Sequence, residues 1–428
     1  MSKIKMLYGY DGLEIDIDDS IEKEFYQKPD MPILDNPIEA LQDSFKNPIN
    51  CNELSVLCKN KKSACIVICD ITRPVPNHLF LQPLIKELIN GGIEKEQIII
   101  LIATGLHRPN EGEELRSLIN DEWVLENISI ANHFARDHNT HLDLGRTSTR
   151  NTPVKIDKRF LQADLKIVTG LVEPHFMAGY SGGRKVIAPG IAHAETITTF
   201  HNFKFMNDPF ATSCNFDGNP LHEEQLEIVK MIGEVYAINT VIDEDRNVSF
   251  INFGEILASH FAAVEFVKSF VELPATKKYH AVLTSSAGEP LDKTFYQVVK
   301  GLSTALGVVH DGGHIIIVAN CSEGIGSPEF IESQQRLIEQ GPKEFLNAIS
   351  QKSHASIDEW QTHKLAQVLS ACKVYLYCDS MSDEEFVLTG VNRCYSIEDT
   401  INVCLKNNSD KQLAIIPEGP YVVPLFKG

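Results

Sequence analysis

Three short apolar runs, each ending on a polar loop, constrain this chain more than any other feature. Residues 64–70 read ACIVICD, residues 97–103 read QIIILIA, and residues 165–169 read LKIVT. Runs this short and this uniformly apolar suit strands buried on both faces of a parallel sheet. After the first run comes a loop at 71–77 and then a helix to about Asn90, which Gly91-Gly92 stops. Residues 128–131 read as a further strand. Alternating strand, loop and helix implies an α/β sheet with helices on both faces. Ligands of such sheets sit beyond the carboxyl ends of the strands. The loops after Cys69, Ala103 and Thr169 are therefore expected to converge on one crevice, although they are far apart in sequence.

The remaining segments extend this pattern. Residues 5–8 and 13–17 read as two strands joined by a turn at 9–12. Asn36-Pro37 reads as an N-cap and first helical position, with Ile38, Leu41 and Phe45 on one face. Residues 235–242 and 248–253 read as a hairpin, and 254–272 as an amphipathic helix ending before Pro274. A second α/β unit then starts, with strands at 279–285, 314–319, 374–378 and 413–416 and a helix from about Lys293. A chain of 428 residues is long enough for about two or three domains. The expected organisation is an N-terminal α/β cofactor-binding domain at 1–273, a C-terminal α/β domain at 274–410, and a tail at 411–428 returning towards the first. The expected fold class is two α/β domains with mainly parallel, Rossmann-like sheets and the active site in the cleft between them.

Charge and cysteine usage narrow the function classes. A net charge of −19 argues against a general nucleic-acid or anionic-membrane binder. It leaves a small anionic substrate open, because local cations decide that. No apolar run reaches the ~18 residues of a membrane span, and residues 1–12 contain no apolar signal core. The ten cysteines are scattered without a C-x-x-C pair, which fits a reducing cytoplasm.

The densest chemistry lies in 170–201, GLVEPHFMAGYSGGRKVIAPGIAHAETITTFH. Gly182-Gly183 permits a sharp turn close to a ligand, and its amides suit an anion. It is not a Walker A loop, because Val186 follows Lys185 where Ser or Thr is required. Arg73, just beyond Asp70, can clamp a carboxylate with two parallel hydrogen bonds. His107 and His175 lie in separate strand-end loops and suit acid–base work near neutral pH. Tyr296, Gln297 and Lys300 share one helix face. Read alone, Asp70 equally fits a helix cap, each histidine a hydrogen-bonded loop residue, and the 292–300 face a solvated surface. His133, His138 and His141 lack zinc-ligand spacing and read as a polar loop.

Together these segments resemble the nickel-dependent lactate racemase family, over essentially the whole chain. The strings that carry the resemblance are 70–76 (DITRPVP), 103–109 (ATGLHRP), 173–190 (EPHFMAGYSGGRKVIAPG), His201 and 291–301 (LDKTFYQVVKG). The resemblance implies a nickel-pincer nucleotide, a pyridinium mononucleotide with two sulfur-bearing arms, joined to Lys185 by a thioamide. It implies His201 as the protein ligand to nickel(II), and His107 and His175 as the acid–base pair. Asp70, Arg184, Tyr296 and Trp360 are then expected at the cofactor, and Arg73, Gln297 and Lys300 at the substrate. The implied reaction racemises a short 2-hydroxy acid, lactate foremost, by hydride transfer. A larger 2-hydroxy acid (a sugar acid, malate or an aromatic hydroxy acid) is the alternative substrate, and a non-catalytic phosphate- or nucleotide-binding protein the alternative class. Enzymes that make the cofactor are the implied partners. A nicotinamide-linked dehydrogenase is disfavoured, because no G-x-G-x-x-G follows an early strand.

Overall fold

Ala64–Cys69 shows why its residues read as one unbroken apolar run. Cys65 and Val67 enter one hydrophobic cluster with Phe160 and Phe200, whereas Ile66 and Ile68 enter a separate cluster with Phe80 and Leu84. Successive side chains point to opposite faces of a strand, so a sheet with two cores leaves no polar position. The computed structural model describes residues 2–406 and 411–426. Residues 407–410 of the expected second domain and 427–428 of the expected tail lie outside the described residues.

The first sheet has six strands in the order Val248–Glu255, Tyr236–Ile242, Leu165–Leu171, Ala64–Cys69, Ile98–Ala103 and Ser129–Asn132. All pairings are parallel except the outer hairpin, Tyr236–Ile242 with Val248–Glu255. The chain runs outward from Ala64–Cys69 to Ser129–Asn132, then returns to lay Leu165–Leu171 on the other side. That reversal makes a topological switch point between Ala64–Cys69 and Leu165–Leu171, where the crevice of a doubly wound sheet opens. The helix expected at 254–272 begins later, at Ile256–Val271, because Gly254 and Glu255 still pair with Ala237 and Tyr236. Asn36 caps Pro37–Lys46 through the Glu39 amide.

The second sheet is wholly parallel, in the order Asn392–Arg393, Lys373–Tyr377, Val309–Val318, Tyr279–Ser285, Gln412–Ile416 and Glu22–Phe25. Its edge strand, Glu22–Phe25, comes from the start of the chain. The hairpin Ser2–Met6 with Leu13–Ile17 packs on this sheet too, with Ile4, Met6 and Ile15 against Ala281 and Leu283. Residues 1–26 were expected in the first domain, but the part of them described here packs with the second. A hairpin's alternation shows that it has a buried face, not which sheet covers it. Of the tail, Gln412–Ile416 lies inside the second sheet and Val423–Phe426 pairs with Glu272–Ala275, where the chain crosses between the halves. Among the described residues no helix is long and apolar enough to cross a membrane.

Candidate active site

The loops after Cys69, Ala103 and Leu171 open into one cleft, and the helix Phe295–Ala305 of the second half closes its other wall. Asp70, Arg73, His107, His175, Lys185 and His201 line it from the first half. Tyr296, Gln297, Lys300 and Trp360 line it from the second. Arg184, alone among the site residues read from sequence, does not line it.

His107 and Asp70 come from neighbouring parallel strands whose ends pair at Cys69 and Ala103. His107 Nδ1 lies 2.6 Å from Asp70 Oδ2, and Thr72 Oγ1 donates to Asp70 Oδ1 at 2.6 Å. Burial opposes charge on His107, but the Asp70 carboxylate outweighs it and the histidine pKa is raised. Burial likewise opposes charge on Asp70, and His107 with Thr72 brings that carboxyl below its ordinary range. The His107 side chain is still 43% exposed, because it lines the open cleft.

His175 has the opposite setting. Its Nδ1 accepts the amides of Met177 and Ala178 at 3.3 and 3.2 Å. The neutral ring then carries its proton on Nε2. Burial and the nearby Lys185 cation push its pKa well below the ordinary value.

The Gly182-Gly183 turn brings Lys185 to the cleft floor. Both glycines have positive φ, 77° and 48°, and a Cβ on Gly183 would lie 2.6 Å from the His260 ring. The amides of Lys185 and Val186 donate to Gly182 and Gly183 within the turn, so these two do not cradle an anion. Burial, then Arg73 and Arg184, lowers the Lys185 pKa to about 7. Its Nζ has no hydrogen-bond or ion-pair partner among the described residues. The Arg184 guanidinium instead turns into the protein. It donates to Ala178 O at 2.8 Å and lies over the Phe216 ring at 4.7 Å. A backbone strut is the role this geometry supports, because the fully buried side chain meets carbonyls and aromatic rings.

His201 ends the helix Ala194–Phe200. Its Nδ1 bonds Ile197 O at 2.9 Å, and the Trp360 ring packs 4.9 Å away. The carbonyl fixes the proton on Nδ1, which leaves the Nε2 lone pair open. Burial brings the His201 pKa down to about 3, so the ring stays neutral. Trp360 Nε1 donates to Tyr296 Oη at 3.2 Å, which ties the two aromatic residues together. No group of three or more His, Cys, Asp or Glu side chains is arranged to hold a metal among the described residues. His133 and His141 instead bond each other at 2.9 Å.

Two acids escaped the sequence reading, Glu173 behind the cleft residue Arg73 and Asp358 in the cleft itself. Glu173 pairs with Arg73 Nη1, so one arm of the guanidinium fork expected for substrate is already engaged. Lys300 has no such partner, and burial with Arg73 nearby lowers its pKa well below the ordinary value. Asp358 lines the cleft beside Tyr296. Glu173 lies within the string 173–190, and Asp358 stands two residues before Trp360. An acid next to an already suspect residue was the available signal in both cases.

Family profiles match this chain on both sides of the cleft: the lactate racemase N-terminal domain over residues 8–213 and the lactate racemase C-terminal domain over 275–423. The chain belongs to the lactate racemase family. It is 30% identical to the lactate racemase of Thermoanaerobacterium thermosaccharolyticum over 428 residues, covering 99% of each chain. It is 30% identical to that of Lactiplantibacillus plantarum over 388 residues, covering 90% of each. The solved lactate racemase apoprotein from T. thermosaccharolyticum superposes with a TM-score of 0.89 at 28% identity, covering 100% of both chains. A crystal structure of a Thermotoga maritima protein shares the fold, with a TM-score of 0.67 at 20% identity, covering 90% of this chain and 98% of that one. As a member of the lactate racemase family, this chain is an isomerase.

Proposed function

We propose that this chain racemises a short 2-hydroxy acid, lactate foremost, with a nickel-pincer nucleotide joined to Lys185 and nickel(II) held by His201. One observation carries the reading: Lys185 Nζ and the Nε2 of a neutral His201 line one cleft, neither with a hydrogen-bond partner among the described residues. A lysine with a pKa of about 7 is substantially neutral at physiological pH, as an amine that forms a thioamide must be. An imidazole whose other nitrogen is tied to a carbonyl offers one directed lone pair. Imidazole is a ligand that suits nickel(II), so His201 would hold the metal together with the nucleotide's sulfur arms. When bound, the nucleotide supplies the acceptor and donor of hydride for the substrate C2.

The chain's own residues supply orientation and protons. Lys300, and the free arm of Arg73, hold the substrate carboxylate. His107, with Nδ1 tied to Asp70, offers Nε2 as the base for the 2-hydroxyl. His175 returns a proton from Nε2 once its ring has gained a second proton at Nδ1, which requires release of the Met177 and Ala178 amides and leaves a neutral imidazole. For substrate of the opposite hand the two roles exchange, and His175 takes the hydroxyl proton at Nε2 with its resting proton moved to Nδ1. Tyr296 and Trp360 wall the cofactor side, Asp70 steadies His107, and Gln297 completes the substrate side. Enzymes that build the cofactor are the proposed partners, and the ten free cysteines fit a cytoplasmic setting.

The test is to produce the chain together with cofactor-synthesis enzymes. Peptide mass mapping should find the adduct on Lys185, nickel should co-purify, and D- and L-lactate should interconvert. His201→Ala should keep the adduct and lose nickel and activity. Lactate deuterated at C2 should racemise with its label retained. An intact adduct in Lys185→Ala, or washout of the deuterium into water, overturns the reading.

A second reading keeps the mechanism and enlarges the substrate. Past His107 the cleft widens into an outer chamber bounded by Phe134, Arg136, Lys293 and Glu329. Its cations are paired, Arg108 with Glu114, Arg136 with Glu329, and Lys293 with Glu323. That favours a neutral, hydroxylated extension over a second carboxylate. Relative kcat/KM for lactate, a sugar acid and malate decides between the readings.

A further inference from the structure

The helix Glu359–Ala371 starts without a side-chain cap, although an aspartate stands at the capping position. Asp121 and Asp157 in this chain do what aspartates at that position ordinarily do, accepting an amide of the first turn. Asp358 does not. Its backbone is left-handed, with φ 60° and ψ −1°, and its carboxylate accepts from Ser327 Oγ. Tyr296 lines the same two spaces as this carboxylate. Tyr296 Oη accepts from Trp360 Nε1, so its own proton is free for an acceptor. Asp358 is only 7% exposed, yet it lines both the inner cleft and the outer chamber, as His107 and Tyr296 do. It therefore stands at the neck between the two spaces.

We propose that Asp358 is a positioning residue: a carboxylate from the second half of the chain that shares the neck with Tyr296 and His107 and acts on both. The proposal rests on His107 being the acid–base group. His107 then feels carboxylates from both halves, and its environment is complete only when the halves meet. Asp358 acts through Tyr296 and His107. Burial outweighs Ser327 and His107, which favour its charge, and raises the Asp358 pKa above the ordinary carboxylate value. The other charges that reach His107 are Asp70, from the first strand end, and Lys300, from the helix Phe295–Ala305. Beyond the neck Arg108 is paired with Glu114, and Lys293 with Glu289 and Glu323.

The decisive variant is Asp358→Asn, because asparagine tolerates left-handed backbone as aspartate does and only the charge is lost. Histidine NMR titration of the apoprotein should show His107 titrating at lower pH in this variant than in wild type, with a larger displacement in Asp70→Asn. In the loaded enzyme kcat should fall roughly tenfold with KM little changed. The acid limb of its pH profile should move in step with the NMR midpoint. An unchanged His107 midpoint in Asp358→Asn, beside a displaced one in Asp70→Asn, overturns the proposal. If Asp358→Asn does not fold, Ser327→Ala loosens the same carboxylate, and an unmoved His107 midpoint there overturns it equally. A chain that racemises neither lactate nor a larger 2-hydroxy acid overturns the functional reading and this proposal with it, whereas an unmoved midpoint in an active enzyme overturns this proposal alone.

Discussion

Asp70 Oδ2 lies 2.6 Å from His107 Nδ1, so the residue after one strand fixes the ring that follows the next. The pairing holds the His107 pKa above its ordinary value of about 6.5. A raised folded-state pKa contributes stability that is fully present below the unfolded value and is lost as pH rises through the folded one. Asp70→Asn should therefore lower the His107 midpoint and remove stability chiefly below pH about 6.5. It should also cut kcat roughly 10- to 100-fold. Histidine NMR, thermal melts across pH and steady-state kinetics check the three parts.

Lys185 should be among the most reactive amines of the apoprotein. With its pKa near 7, about half is neutral at pH 7, whereas a solvated lysine near 10.4 is almost wholly charged. Brief acylation at pH 7, followed by peptide mapping, should find Lys185 and Lys300 modified ahead of surface lysines. Labelling at surface lysines alone would contradict the pKa assigned to the cleft.

Arg73 is already joined to Glu173 in a mostly buried pair. Arg73→Lys should lower kcat/KM by about 1.5–3 kcal/mol, because lysine cannot reproduce a fork shared between glutamate and substrate. Glu173→Gln leaves a buried cation without its partner and should cost on the order of 3 kcal/mol of stability. It frees the guanidinium for substrate, so KM should fall in that variant. Denaturant unfolding and kinetics separate the two effects.

Acid should unfold this chain through its neutral histidines. Burial holds His133, His201 and His363 each down to about 3. Their unfolded values lie near 6.5, so the unfolded chain binds protons first and stability falls as pH drops from about 6.5 towards 3. His363 stacks on Phe203 at 11° with rings 4.9 Å apart. His363→Phe keeps that stack and removes one titrating group. Its Tm should fall less than that of wild type between pH 7 and pH 5 by scanning calorimetry.

The sequence by itself determined the local elements. The runs at 64–70, 97–103 and 165–169 fold as parallel strands, and Asn36 caps the helix at Pro37. A strand buried on both faces leaves a continuous apolar trace, and a cap is a contact within a few residues; both are written in short spans of chain. The strand-end positions of His107 and His175, and the shared face of Tyr296, Gln297 and Lys300, were legible for the same reason. Only the tertiary structure decided what those residues meet. Arg73 finds Glu173 a hundred positions away, across the switch point. Arg184 stands beside Lys185, yet its side chain turns to Ala178 O and Phe216, since the Gly182-Gly183 turn sends neighbouring side chains in different directions. Glu22–Phe25 pairs with Gln412–Ile416, at the other end of the chain. Periodicity fixes how much of a residue is buried, whereas its partner depends on strand order and on crossovers that bring distant segments together, and no local pattern records them.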